Sequence, residues 1–236
     1  MAGPYPWPPD LTRRPEPRSR VRWATLTRVI ASTSHRMLFV HVQKTGGLTI
    51  EALLKDALPD AESVRGLPDG RHATLAEAVE ARPELATYWT FGFVRNPWAR
   101  LHSWHSMIMR RQAAADGGNK VIARRMRNID FWRRVGADYT DFEAFVLRGP
   151  EEFPRLRTAQ LDYLRAAGRE ADLIGQTERL GEGLTEVFAH LGLPDPLVER
   201  RNAGPPTDYR EHYTPAMRER VAEIYAPDIE RFGYEF

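Results

Sequence analysis

The chain has no cysteine. Disulfides, thiolate metal sites and cysteine nucleophiles are therefore excluded. Lysine is almost as scarce: of 34 Lys and Arg residues, lysine stands only at 44, 55 and 120. The arginine excess reads as a GC-rich coding bias rather than a function. It makes Lys44 conspicuous, because arginine is this chain's ordinary cation. No apolar run reaches the roughly 18 residues of a membrane-spanning helix. The N-terminal stretch MAGPYPWPPDLTRRPEPRSR lacks the apolar segment of a signal peptide. These absences set the expectation of a cytoplasmic protein that enters no membrane. The net charge of +2 is too small to argue for nucleic acid as a partner.

What remains is 236 residues of ordinary apolar content, enough for one α/β domain with a sizeable core. Residues 1–34 are rich in Pro and Arg and break any periodicity, so they read as an irregular arm. Trp7 and Trp23 suit an arm that packs on the body, or on the second subunit of a homodimer. Residues 35–236 read as a single domain. Apolar, β-branched runs predict strands over 37–42 and 87–94 and a short buried strand over 171–176. Helices are expected over 47–58, after Thr74 with Glu77 completing a capping box, from Pro97 to the break at 115–119, through most of 120–168, and over 180–192. A C-terminal helix is expected to bend or stop at Pro227. Strands alternating with helices predict an α/β fold with a central, largely parallel sheet covered by helices on both faces. Ligands of such sheets bind at the carboxyl ends of the strands, where 43–49 and 95–97 fall.

The first of these turns is His41-Val-Gln-Lys-Thr-Gly-Gly-Leu-Thr49. Two glycines after a strand let backbone N–H groups point into one hollow, and the next helix adds its unpaired N–H groups and positive dipole end. That combination binds a phosphate-like anion. Lys44 adds a mobile charge, and Thr45 and Thr49 add hydroxyls. The lysine precedes the glycines, whereas the common nucleotide-triphosphate loop places it after them. No acidic strand end stands out for Mg²⁺, and no His, Asp or Glu cluster has metal-ligand spacing. In the second turn, Arg95 sits just past a strand and Ser103 two helical turns further on, a pair suited to a second phosphate.

HVQKTGG and FGFVRNPWARLHSW resemble the two motifs of the family-2-like sulfotransferases, the carbohydrate and heparan-type group that uses 3′-phosphoadenosine 5′-phosphosulfate (PAPS). The ending, with Tyr209-Arg-x-x-Tyr213 before a helix and Phe232-Gly-Tyr234, is similar to the family's closing segment. The resemblance covers about 37–236 and is weaker in the middle. It implies a P-loop-like fold with a helical insertion on the acceptor side. It also implies that Lys44, Thr45, Gly46, Gly47, Leu48 and Thr49 hold the 5′-phosphosulfate, and that Arg95 and Ser103 hold the 3′-phosphate. Arg201 and Asn202 match a stretch that closes over the cofactor. The product would be adenosine 3′,5′-bisphosphate, and no metal is implied. Gln43 departs from the usual proline. Leu48 stands where a hydroxyl is usual.

His72, between the motifs and before a helix, is the expected general base, with Lys44 as the other catalytic residue. His41 reads as strand packing. His102 and His105 read as packing or solvent-facing residues of the second-motif helix, His105 being the substitute base. The helical middle, 107–168, would form the acceptor side. Its Arg110, Arg111, Arg124, Arg125 and Arg127 either meet an anionic acceptor or line a solvated helix face. The expected acceptor is a small-molecule or sugar hydroxyl. An atypical kinase or nucleotide hydrolase, and a non-catalytic nucleotide-binding protein, remain the alternatives.

Overall fold

A computed structural model describes residues 29–67, 72–166, 168–196 and 208–236. The elements run β1 (Val29–Ser32), β2 (Met37–Val40), α1 (Gly47–Ala57), β3 (Glu62–Ser63), α2 (Leu75–Ala81), β4 (Trp89–Val94) and α3 (Pro97–Asp116). They continue with α4 (Lys120–Asn128), α5 (Asp130–Asp138), α6 (Phe142–Glu152), α7 (Gln160–Tyr163), β5 (Arg165–Ala166) and β6 (Arg169–Glu170). The last are β7 (Leu173–Gln176), α8 (Leu180–His190), α9 (Pro215–Ile224) and α10 (Ala226–Phe232).

The period of two along the strands divides the core between the faces of one sheet. Met37 and Phe39 of β2 join Phe91 and Phe93 of β4 against α1 (Ile50, Leu54) and α8 (Leu184, Val187, Phe188). Leu38 and Val40 face the other way, into a cluster with Leu75, Leu101, Phe145 and Val221 from α2, α3, α6 and α9. Both faces are thus covered, which is why β2 and all but the first residue of β4 are buried.

The sheet order is β3-β1-β2-β4-β7. The expected largely parallel sheet is mixed: β2/β4 and β4/β7 pair in parallel, but β1 runs antiparallel to β2 and to β3. The reason lies in residues 29–34, assigned above to the arm. Val-Ile-Ala-Ser is a strand, and a tight turn, with Arg36 at φ 46°, folds it back onto β2. The remaining arm residues, 1–28, lie outside the described residues.

The middle is helical as expected, apart from the β5–β6 hairpin. The strand β7 is half-buried rather than buried. The Thr74–Glu77 capping box forms: Glu77 N–H donates to Thr74 Oγ1 (3.1 Å) and Thr74 N–H to Glu77 Oε2 (2.6 Å). The C-terminal helix breaks at Tyr225, leaving Pro227 in the first turn of α10. Among the described residues no helix is long and apolar enough to cross a membrane.

Candidate active site

The parallel register puts the carboxyl ends of β2, β4 and β7 side by side. The three loops leaving them meet there. From β2 the chain passes His41 and Gln43 into a tight turn in which Lys44 has φ 71° and Gly46 φ 80°. A left-handed lysine is uncommon and strained, which marks this turn as one the surroundings enforce. Gly46 is the residue before α1 and offers no side chain to cap it, and no acidic residue occupies the helix's first turn. Beyond the Gly46 carbonyl, which accepts from Thr49 N–H (2.9 Å), no side chain caps this helix end, so it keeps the positive end of its dipole uncompensated. Gly47 has a different constraint: an added Cβ would lie 2.0 Å from the His41 ring.

The loop after β4 reaches across to this turn. Arg95 Nη1 donates to Lys44 O (3.4 Å), Arg100 Nε donates to Gln43 O (2.9 Å), and Lys44 Nζ contacts Met107 Sδ of α3 (3.4 Å). The two motifs, 51 residues apart along the chain at Lys44 and Arg95, thus meet in space. Asn96 caps α3, its Oδ1 accepting from Trp98 N–H (3.1 Å) and Ala99 N–H (3.3 Å). Gln160 brackets Arg95, accepting from its N–H (2.9 Å) and donating to its carbonyl (2.7 Å). From the third loop Glu178 accepts from Asn96 N–H (2.8 Å). Burial pulls the Arg95 guanidinium down from the usual arginine range, and the Glu178 carboxylate acts against that. The C-terminal segment closes this side. Asn96 Nδ2 donates to Glu235 O (2.8 Å), and Tyr213 Oη donates to Trp98 O (2.8 Å).

His72 lies against the start of the first turn. Its Nδ1 donates to His41 O (3.1 Å), and its ring stands edge-on to the His41 ring at 5.0 Å. A carbonyl can only accept, so this bond places the neutral ring's proton on Nδ1 and its lone pair on Nε2. His105 has the opposite arrangement. It is buried, its Nε2 donates to Tyr139 O (3.0 Å), and burial pushes its pKa down. It packs on Phe142 and Phe145, in keeping with the packing reading rather than the solvent-facing one. His102 stacks on His212 at 4.8 Å and accepts no charge near neutrality: burial, then His212, His105, Arg95 and Arg110, hold its pKa down at about 4.

Of the sequence-predicted residues, Lys44, Gly46, Gly47 and Thr49 lie in or beside the turn and Arg95 bonds to it, whereas Ser103 lies half-buried further along α3. Thr45 differs. It is 1% exposed and its hydroxyl donates to Val42 O (2.8 Å), so its proton serves the turn, not an anion. Arg201 and Asn202 lie outside the described residues. Of the middle arginines, Arg110, Arg124, Arg125 and Arg127 are exposed, whereas Arg111 covers the Trp132 ring at 3.8 Å. Asn96, Arg100, Gln160 and Glu178 were not singled out from sequence. Only Asn96, the polar residue before Pro97 and an apolar helix, carried a local signal, that of an N-cap.

Leu48, at the second position of α1, is 46% exposed and belongs to no core. Leu48→Thr is therefore expected to leave the melting temperature unchanged and to hold or tighten affinity for adenosine 3′,5′-bisphosphate, by up to about 1 kcal/mol for one added hydrogen bond. Calorimetric titration of both proteins checks this, and a weakened complex would contradict the placement of this helix end at the anion.

Among the described residues no group of three or more His, Asp or Glu side chains is placed to hold a metal ion. A family model described as "Sulfotransferase family" matches residues 27–235. No curated protein and no solved structure matches the chain.

Proposed function

Because the chain belongs to the sulfotransferase family, we propose that it transfers the sulfuryl group of PAPS to a hydroxyl of a small-molecule or sugar acceptor in the cytoplasm. The observation that carries this reading is the meeting of two cationic turns, Lys44 before a helix end without a side-chain cap and Arg95 after β4, joined by the bond from Arg95 to Lys44 O. The donor set fits a molecule with two separate phosphate ends, the 5′ end at Gly46, Gly47, Leu48 and Thr49 and the 3′ end at Arg95 and Ser103. Thr45 would contribute its backbone N–H.

When bound, PAPS supplies an activated sulfuryl group on a phosphate leaving group. The protein's part is positioning and charge stabilisation, as in phosphoryl transfer. Lys44 and the first N–H groups of α1 would neutralise negative charge that grows on the departing phosphate, an interaction stronger in the transition state than in the ground state. His72 Nε2 would take the acceptor's proton, and His41 O would hold the ring in that tautomer. Arg201 and Asn202 would close over the donor. The exposed Arg110, Arg124, Arg125 and Arg127 would meet an acceptor that carries negative charge.

Thermal shift tests the reading against a nucleotide-dependent kinase. Adenosine 3′,5′-bisphosphate in EDTA is expected to raise the melting temperature, and ATP with Mg²⁺ is expected to raise it much less. The reverse order would favour the kinase.

A further inference from the structure

Arg100 is fully buried, at 0% exposure, in the first turn of α3. Its Nε holds Gln43 O, immediately before the strained Lys44. Its guanidinium carbon lies 4.8 Å from the Trp104 ring and 5.8 Å from the Tyr225 ring. Nη1 and Nη2 are buried and meet no carbonyl or carboxylate among the described residues; the polar group beside them is the neutral Tyr225 hydroxyl. Asp228, the nearby buried carboxylate that also acts on Tyr225, instead accepts from Gln160 N–H (2.8 Å), Gln160 Nε2 (3.2 Å) and Leu161 N–H (3.0 Å). A buried cation is ordinarily paired, because desolvation penalises an isolated charge heavily. Arg100 also stands at the positive end of a helix and in the field of Arg95, and both disfavour it further. The fold gains the bond to Gln43 O and the two ring contacts from Arg100, but among the described residues the charge itself meets no carboxylate.

Resting on the reading of this turn as the anion site, we propose that Arg100 is a positioning residue whose counter-charge is the bound anion. It would act from beneath the turn, through Gln43 O and the backbone of Lys44, without touching the ligand. In a water-excluded position its charge is screened far less than that of a surface cation. Ligand-free protein carries the penalty of a guanidinium whose partners, Gln43 O and the Tyr225 hydroxyl, are neutral, and anion binding relieves it.

The test compares wild type with Arg100→Lys, Arg100→Gln and Arg100→Met, by melting temperature without ligand and by titration with adenosine 3′,5′-bisphosphate and with inorganic pyrophosphate. Arg100→Lys, which keeps the charge, should bind within about threefold of wild type. Arg100→Gln, which keeps only a donor for Gln43 O, and Arg100→Met should bind at least about tenfold more weakly. Arg100→Gln should melt no lower than wild type in the absence of ligand, whereas Arg100→Met also strips Gln43 O of its donor and is expected to melt lower. A merely structural arginine gives the opposite: Arg100→Gln melts lower than wild type, or binds at least as well as Arg100→Lys. Either result overturns the proposal. If wild type binds pyrophosphate but not the bisphosphate, the PAPS reading fails and the proposal is judged on pyrophosphate. If it binds neither, both fail.

Discussion

Lys44→Ala is expected to lower turnover at saturating PAPS by roughly 10²–10³-fold, the scale of losing one donor aimed at transition-state charge. The melting temperature should hardly change. The lysine side chain is half-exposed, and its polar end touches a methionine sulfur rather than the core. Its backbone, at φ 71°, is the strained part. Lys44→Gly separates the two effects: glycine accepts that conformation without cost, so it should be at least as stable as Lys44→Ala and equally slow. Steady-state kinetics with a melting curve for each variant checks the pair. Near-wild-type turnover in either variant would remove Lys44 from the chemistry.

His72→Ala is expected to cut turnover by roughly 10²–10⁴-fold, with little change in affinity for adenosine 3′,5′-bisphosphate. In the proposed arrangement the base would face the acceptor, and other residues would hold the phosphates. The ring's Nδ1–H is committed to His41 O, so Nε2 is the basic atom. Protonation there removes the lone pair, so the wild-type rate should fall on the acid side, and this acid limb should be lost in the variant. The rate loss in the variant should shrink for acidic phenols, which part with their proton more readily. A variant that slows all acceptors equally and weakens bisphosphate binding would instead make His72 a support of the turn, through its contact with His41 over Gly47.

The strand, turn and helix around Lys44 were legible because their signals are local. An apolar strand, a lysine, two glycines and an amphipathic helix follow one another within 18 residues of chain, Met37 to Leu54. The same holds for Arg95 after β4 and for the Thr74–Glu77 cap. The strand β1 escaped because four apolar or small residues directly after a Pro/Arg-rich stretch carry too short a period to separate from it. The mixed sheet followed from that miss, since β1 supplies both antiparallel pairings. Arg100, Gln160 and Glu178 escaped for a different reason. Each acts on a backbone group of another segment, Gln43 O, Arg95 N–H and Asn96 N–H, and a backbone partner leaves no mark in the sequence. Thr45 shows the converse limit. A hydroxyl beside two glycines reads as a ligand donor, but whether its proton turns outward or back to Val42 O is set by the turn's geometry.

The central claim is tested most directly by incubating the protein in EDTA with sulfur-labelled PAPS and a panel of phenols, sugars and alcohols. The account predicts that label passes to at least one acceptor, with adenosine 3′,5′-bisphosphate released in equal amount and both absent in Lys44→Ala on the same timescale. Label that stays on the donor with every acceptor, while labelled ATP with Mg²⁺ transfers its phosphate to one of them, would contradict it.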